Sequence, residues 1–384
     1  MHALELSNYA RLDLDVVGAV GDELLLRDGR RVLDLYGGHC VNTLGAGDAA
    51  LGEGLVEQWG TLSFATNLLH LDARAEFFEV FAKTLPNPPK GSGAWQAFLS
   101  NSGAEANENA LKAALSATGR AKIVCFEGAF HGRTAAATAV SDSKARGFPQ
   151  APFEVCRIPF GDAAAAAAAI DAQTAACILE PIQAMAGVVT PTPEYLQKLR
   201  ARCDTTGAQL VFDEVQTGNG RMGTPFASQF FGVVPDVFTT AKGAASGLPI
   251  GITVFSEAIV QAFDAGLFGS TFGGGPLVLR AALEVSRRIA SGELTKNVQA
   301  TSSVFQSCAG VGPVMAVRGK GLLLGLEMGP GITAKEVQGA LLEQGILVGG
   351  SADAAVVRLS PPLTLAPERA QLLKNALQAL EVPA

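Results

Sequence analysis

Two strand-like segments near the middle of the chain end in groups of opposite charge. "LVFDEV" places Asp213 at the end of an apolar run, and "DVFTTAK" places Lys242 at the end of the next. Strands of a parallel sheet present groups to a ligand at their ends, so an aspartate and a lysine at successive strand ends can face one cleft. Glu214 follows Asp213, but neighbours on a strand point to opposite faces, so the two carboxylates make a poor acid–base pair. Taken alone, Asp213 also fits a strand-end turn or cap. Lys242 is less ordinary. "GAASGLPIG" follows it, small residues where a surface lysine would have polar neighbours. Burial lowers the proton affinity of such an amine and exposes a nucleophile, and small neighbours keep space clear around it.

A buried lysine with room beside it can form a Schiff base, and the matching cofactor is pyridoxal phosphate. That cofactor needs a carboxylate to hold its ring nitrogen protonated, a role open to Asp213. Its phosphate needs backbone N–H groups at a helix start. "NSGAEANENALKAAL" offers Ser102, Gly103 and Ala104 between a strand and a helical run, although a plain capped helix start reads the same way. "EGAFHGRT" puts Phe130 and His131 at another strand end. An aromatic ring there could stack on a flat cofactor; the bland alternative is a core phenylalanine and a turn histidine. The histidines are His2, His39, His70 and His131, too few and too scattered to support a zinc site. "GNGRMG" (Gly218 to Gly223) fits G-x-G-x-x-G, but Thr224 and Pro225 follow where a dinucleotide site needs a helix, so it reads as a loop.

The elements that must position these groups alternate along the chain. "AWQAFLS", "KIVCFEG", "AACILEPI", "AQLVFDEV", "DVFTTAK" and "GITVFS" are strand-like, with helical stretches between several of them. That pattern predicts βαβ units and a mostly parallel sheet. "DAAAAAAAIDA" reads as an ordinary helix, since alanine favours helix. From Pro276 a long helix, "PLVLRAALEVSRRIASGEL", leads into "PVMAVRGKGLLLGLEM", a further helix, "GILVGG" and "VVRLSPPL", which reads as a smaller α+β domain. A hairpin is expected around Asp28-Gly29. The expected division is an N-terminal segment 1–47 belonging to the small domain, a large cofactor-binding domain 48–275 and a C-terminal small domain 276–384. The 384 residues and 48% hydrophobic content suit such a size, and 17% charged residues argue against disorder. With a net charge of −7 and no basic stripe, nucleic acid is not an expected partner. Six scattered cysteines with no CxxC pair point to free thiols in a reducing compartment. No segment has the ~18 apolar residues of a membrane helix, and the N-terminus lacks a basic start followed by an apolar stretch, so the expectation is a soluble cytoplasmic protein.

Together the segments "NSGAEANENALK", "FEGAFHGRT", "LEPIQ", "LVFDEVQTGNGRMG", "PDVFTTAKGAASGLPIG", "STFGGGPL" and "VVRLSPPL" resemble the class III pyridoxal-phosphate aminotransferases of fold type I. The resemblance is to the acetylornithine and ornithine branch and runs from about Asp28 to Pro367. It implies an α/β fold with a large, mostly parallel sheet domain and a smaller α+β domain. It implies that Lys242 bonds the cofactor and shuttles the proton, and that Asp213 pairs with the ring nitrogen. Gln216 would approach the cofactor's phenolic oxygen, Phe130 would stack on the ring beside His131, and Ser102, Gly103 and Ala104 would cradle the phosphate. Thr271 would reach the phosphate of a neighbouring subunit's cofactor, which implies a homodimer or larger homo-oligomer. Arg133 and Arg358 would bind substrate carboxylates, for which a guanidinium fork is suited.

Some positions depart from the pattern. "LGAGDAAL" replaces a Gly-His around a proline turn, Gly275 stands where asparagine is usual, and His39 and Cys40 lie where the N-terminal segment approaches the substrate. Met185, in "EPIQAMAG", stands where the ornithine-type enzymes carry the glutamate that masks the arginine matching Arg358. The expected activity is transfer of the terminal amine of an ornithine-like donor, N-acetylornithine first, to 2-oxoglutarate in arginine biosynthesis. Within the fold the alternatives are ornithine, succinylornithine or 4-aminobutyrate as donor, or an aminomutase. Outside it stands a non-catalytic cofactor-binding interaction protein, against which the set Lys242, Asp213 and Arg358 argues.

Overall fold

Side-chain alternation decides the layers. The computed structural model describes Leu6, Asn8, residues 10–142 and residues 153–380. In chain order its strands are β1 (Val16–Val20), β2 (Glu23–Leu26), β3 (Arg31–Asp34), β4 (Trp95–Ser100), β5 (Lys122–Phe126), β6 (Glu154–Ile158), β7 (Thr174–Leu179), β8 (Gln209–Asp213), β9 (Val237–Ala241), β10 (Gly251–Ser256), β11 (Val314–Lys320), β12 (Leu323–Met328), β13 (Ile346–Leu347) and β14 (Val356–Leu359). Seven of them form one sheet in the order β4-β10-β9-β8-β7-β5-β6. β5 to β9 pair in parallel, and β10 runs antiparallel to both of its neighbours. The inner strands are apolar throughout because both faces are covered. Ile123, Cys125 and Val211 pack on one side with Ala110, Leu111 and Ala114 of the helix Gly103–Thr118. Val124, Phe126, Leu210 and Phe212 pack on the other with Leu196, Leu199 and Cys203 of the helix Pro193–Thr206. Phe212 and Phe238 are wholly buried, each worth roughly 2–3 kcal/mol of transfer free energy.

Local chemistry places the helix ends. Ser102 caps the helix Gly103–Thr118 by accepting the Glu105 N–H, and Gly119 closes it in the left-handed region. Thr192 and Pro193 start the helix Pro193–Thr206, and Gly207 ends it. The alanine run is a helix, Ala163–Ala169, capped by Asp162.

Two smaller sheets stand apart from the large one. β1-β2-β3 is an antiparallel meander, with Gly29 at φ 90° in the expected hairpin, and β13 adds to β3 in parallel. β11-β12-β14 is antiparallel. A second core joins Leu33, Leu35 and Leu44 to Val298, Phe305, Leu324 and Leu373, so N-terminal residues pack with the C-terminal third.

The long helix expected from Pro276 is two helices. Pro276–Ala290 ends where Gly292 turns left-handed at φ 78°, and Glu293–Gln306 begins a new direction. The first of the pair bridges the cores, with Leu279, Ala282 and Leu283 in the large one and Val285 and Ile289 in the second. All six cysteines are free, and five are buried; Cys156 is half-buried. Among the described residues no helix is long and apolar enough to cross a membrane, and no group of His, Cys, Asp and Glu side chains could hold a metal ion. His2 lies outside the described residues.

Candidate active site

β8 and β9 are parallel neighbours, and Asp213 is the register partner of Thr239, three residues before Lys242. Both Asp213 and Thr239 meet Asn107, on the helix that starts at Gly103. Asn107 Nδ2 donates to Asp213 Oδ2 at 2.8 Å and to the His131 carbonyl at 2.8 Å, while Thr239 Oγ1 donates to Asn107 Oδ1 at 2.7 Å. His131 Nδ1 lies 2.7 Å from the same Asp213 oxygen, and the Val215 N–H donates to Asp213 Oδ1 at 3.0 Å. The carboxylate is thus held by three groups, from Asn107, His131 and Val215. Glu214 faces away, as strand alternation requires, and accepts the Ala227 and Ser228 N–H groups and the Thr217 hydroxyl.

A cavity of ≈450 Å³ opens over this arrangement, lined by Lys242, Asp213, Gln216, Phe130, Arg133 and the 102–104 segment, among others. Lys242 is enclosed by protein, with part of its surface open to the cavity. Burial lowers its pKa, and the Arg358 charge adds to that; Cys40, Asp213 and Glu180 oppose it. Its backbone sits at φ 45°, a left-handed position uncommon for a side-chain-bearing residue, where the strand turns into a tight 3₁₀ turn. The small residues that follow have a second cause besides cofactor room. A Cβ on Gly243 would come within 2.4 Å of Thr43 Oγ1. Thr43 donates to the Gly243 carbonyl and Leu44 N–H to Ser246 Oγ, which clamp the turn to the N-terminal segment.

The Ser102 hydroxyl is occupied, accepting the Glu105 N–H and donating to Glu105 Oε2. The first N–H groups of the helix, on Gly103 and Ala104, lack intrahelical acceptors and border the cavity. Glycines keep that end tight: a Cβ would meet Ser102 O at 2.1 Å on Gly251 and Ala104 Cβ at 2.6 Å on Gly132. Phe130 is half-buried, with the Arg133 guanidinium 5.3 Å from its ring centre. Gln216 Oε1 accepts from Cys40 Sγ at 3.6 Å.

Two expected residues stand outside the cavity wall. Arg358 lies on β14, buried beside Tyr36, near enough for its charge to act on Lys242. Thr271 is exposed and lines a separate cleft with Phe64, Asn67 and Gly273. Met185 is half-buried and its carbonyl accepts the Ala352 N–H. A larger apolar cleft of ≈730 Å³ adjoins the site, but Trp59, Phe64 and Phe272 line it and no titratable group does, so the chemistry belongs to the smaller cavity.

Residue-by-residue reading missed Asn107, Thr239 and Glu180. Glu180 follows β7 in "LEPIQ", lines the cavity and accepts the Phe130 N–H at 2.9 Å. Its pKa is pushed up to about 7 by burial, with the Asp213 charge adding and His131, the Phe130 N–H and Lys242 opposing. Asn107 had one legible signal, since it lies one helical turn beyond Gly103 on the same face.

Lys242 and Asp213, at adjacent strand ends, thus share one cavity with Phe130 and the start of the helix Gly103–Thr118. The class-III aminotransferase family model matches residues 7–380, and the chain belongs to that family of pyridoxal-phosphate transaminases. It is 40% identical to acetylornithine aminotransferase of Mycolicibacterium smegmatis over 98% of this chain and 96% of that one. It is 39% identical to acetylornithine aminotransferase of Streptomyces coelicolor over 98% and 92%. Among solved structures, N-acetylornithine aminotransferase of Stenotrophomonas maltophilia matches with a TM-score of 0.82 at 30% identity, covering 97% of this chain and 96% of that one. Ornithine aminotransferase of Toxoplasma gondii matches with a TM-score of 0.88 at 26% identity, covering 97% and 91%.

Proposed function

We propose that this enzyme moves the terminal amine of N-acetylornithine to 2-oxoglutarate in arginine biosynthesis. The observation that carries the catalytic reading is Lys242 and Asp213 at the ends of paired strands in one cavity. The near-full-length likeness to acetylornithine aminotransferases supports the choice of donor.

The residues present fit pyridoxal phosphate. Gly103 and Ala104 supply N–H donors for the phosphate, Phe130 a flat apolar face, and Asp213 a fixed negative charge for the ring nitrogen. Gln216, which lines the same cavity, would meet the phenolic oxygen. When bound, the cofactor supplies an electron sink for the carbon that loses its proton. Lys242 would hold the cofactor and would carry that proton on Nζ, and burial lowers its pKa from the ordinary lysine value. Asn107 and His131 hold the Asp213 carboxylate in line. Arg133 and Arg358 receive substrate carboxylates.

The active assembly in this reading is a cytoplasmic homodimer. Trp59, Phe64, Leu68 and Phe272 form exposed apolar surface next to the cavity, and Thr271 stands away from its own chain's site. The division 1–47, 48–275 and 276–384 belongs to the same proposal, supported by the shared core of Leu33, Leu35 and Leu44 with the C-terminal third. The test is a donor panel with 2-oxoglutarate and pyruvate as acceptors. N-acetylornithine with 2-oxoglutarate is expected to give the highest kcat/KM; a faster free ornithine, succinylornithine or 4-aminobutyrate overturns the substrate assignment.

A further inference from the structure

Arg358 is buried, yet among the described residues it has no carboxylate partner. Its Nε donates to the Gly350 carbonyl, its Nη2 donates to Tyr36 Oη at 2.9 Å, and its guanidinium carbon lies 5.5 Å from the Tyr36 ring centre. Tyr36 Oη in turn lies 2.5 Å from His39 Nδ1. A phenol has one proton to give. Accepting from Arg358, Tyr36 donates that proton to His39, which requires a neutral His39 bare at Nδ1. The surroundings agree: partial burial, then the charges of Arg358, Lys242 and Arg133, push the His39 pKa below its usual value.

The backbone is shaped to make this chain. Gly37, Gly38, His39 and Cys40 all have φ between 56° and 68°, a left-handed turn. Such a conformation costs a non-glycine residue roughly 1–2 kcal/mol, so it persists only where the surroundings hold it. They do. Asp34 Oδ1 accepts the Tyr36 and Gly37 N–H groups, and Ser360 Oγ donates to the Tyr36 carbonyl. A Cβ on Gly37 would meet Ser360 O at 2.4 Å, and one on Gly349 would meet the Tyr36 ring at 2.1 Å. The ring therefore has a slot between Gly349 and Arg358.

We propose that Tyr36 and His39 are positioning residues that hold the Arg358 guanidinium by uncharged contacts, leaving its outer fork free to receive the carboxylate beside a substrate's reacting carbon. The proposal rests on the reading of Arg358 as a carboxylate-binding residue. With Nε on Gly350 and one Nη2 hydrogen on Tyr36, the Nη1 and Nη2 hydrogens on the far side remain for a bidentate anion. No acid has to be displaced first. An α-amino acid such as glutamate needs that fork, whereas a terminal-amine donor has no carboxylate next to its reacting carbon.

The test follows the two half-reactions of the loaded enzyme separately, with glutamate and with N-acetylornithine, by the cofactor's absorbance change. Tyr36→Phe and His39→Leu are expected to raise the half-saturating glutamate concentration about tenfold, roughly the worth of one hydrogen bond to a charged group. The maximal rate and the N-acetylornithine reaction should stay within about twofold by the same reasoning. His39→Asn is expected to return glutamate toward wild type, since Asn offers an oxygen near the Nδ1 position and tolerates the left-handed backbone. Tighter glutamate binding in Tyr36→Phe shows that the phenol competes for Arg358 and overturns the proposal. Equal effects on both substrates, or no recovery in His39→Asn relative to His39→Leu, also overturn it. Arg358→Met separates the two levels. If it leaves glutamate unaffected, the carboxylate reading fails and the proposal with it; if it abolishes glutamate binding while Tyr36→Phe does nothing, only the proposal fails.

Discussion

Asn107 Nδ2 donates to Asp213 Oδ2 at 2.8 Å from the helix whose first turn borders the same cavity. One rigid element therefore sets both the anion-binding N–H groups and the orientation of the carboxylate. Asp213→Asn keeps the side-chain shape but removes the charge, and its NH2 must face either the Val215 N–H or the Asn107 and His131 nitrogens. It is expected to retain pyridoxal phosphate and lose several orders of magnitude in kcat, because the ring nitrogen loses its ionic partner. Near-wild-type kcat in that variant would falsify the role given to Asp213.

Lys242→Ala is expected to abolish turnover. Borohydride treatment of the wild-type enzyme followed by peptide mapping should place the reduced cofactor on Lys242. Label on another lysine, or on none, removes the basis of the assignment.

Glu180 gives a pH signature. Its folded-state pKa of about 7 lies above the ordinary 4.5, so the folded chain holds the proton longer than the unfolded one. As pH rises past 4.5 the unfolded chain ionises first, and folding stability falls until the folded group has also ionised above 7. Glu180→Gln cannot ionise, and its amide oxygen can still accept the Phe130 N–H. In urea titrations of cofactor-free protein, the variant should match wild type near pH 4.5 and gain up to about 3 kcal/mol on it by pH 8. A stability difference that does not grow with pH argues against a buried, reluctantly ionised Glu180.

Trp59 is 68% exposed and Phe272 is 66% exposed, beside the larger cleft. If this surface pairs with a second copy, Trp59→Asp shifts light-scattering mass toward the monomer and lowers activity at dilute enzyme. A fully active monomer, in the variant or in wild type, refutes the shared-site assembly.

Met185→Glu introduces a carboxylate on the segment whose carbonyl holds Ala352, two residues beyond the Gly350 that binds Arg358. If it reaches Arg358 it should slow the glutamate half-reaction more than the N-acetylornithine one, because glutamate then has to break an ion pair. Unchanged rates for both show that position 185 does not govern Arg358.

Local chemistry was legible from the residues, and distant contacts were not. Asp213 closes β8, Lys242 directly follows β9 and Gly103 opens a helix, so strand-end geometry alone brings these three to one edge, whereas Phe130, expected at a strand end, lies in the loop between β5 and the helix Ala135–Val140. The turn at Asp28-Gly29 and the loop reading of "GNGRMG" likewise rest on neighbouring residues; Asn219, Gly220 and Gly223 there have positive φ. Arg358 and Tyr36 are 322 residues apart, and no periodicity links a β14 residue to a turn after β3. Asn107 looked like one more polar helix residue because its partners come from three other segments. The helix expected from Pro276 through Leu294 was too long for a different reason. Its apolar spacing resumes after Ser291-Gly292, and a glycine in a helical pattern marks a break only when its φ is known.

The helix Pro276–Ala290 is shared property of two cores, with Leu279 and Leu283 in one and Val285 and Ile289 in the other. This governs where the chain can be divided for reassembly from two expressed pieces. A cut at Gly275-Pro276 strips the first piece of a helix that closes its core and leaves apolar side chains bare, inviting aggregation. A cut at Ser291-Gly292 falls in a turn between helices, keeps the shared helix with the lysine-bearing piece, and separates the halves where the backbone already changes direction. The useful seam therefore lies some way past the point where the sequence pattern changes.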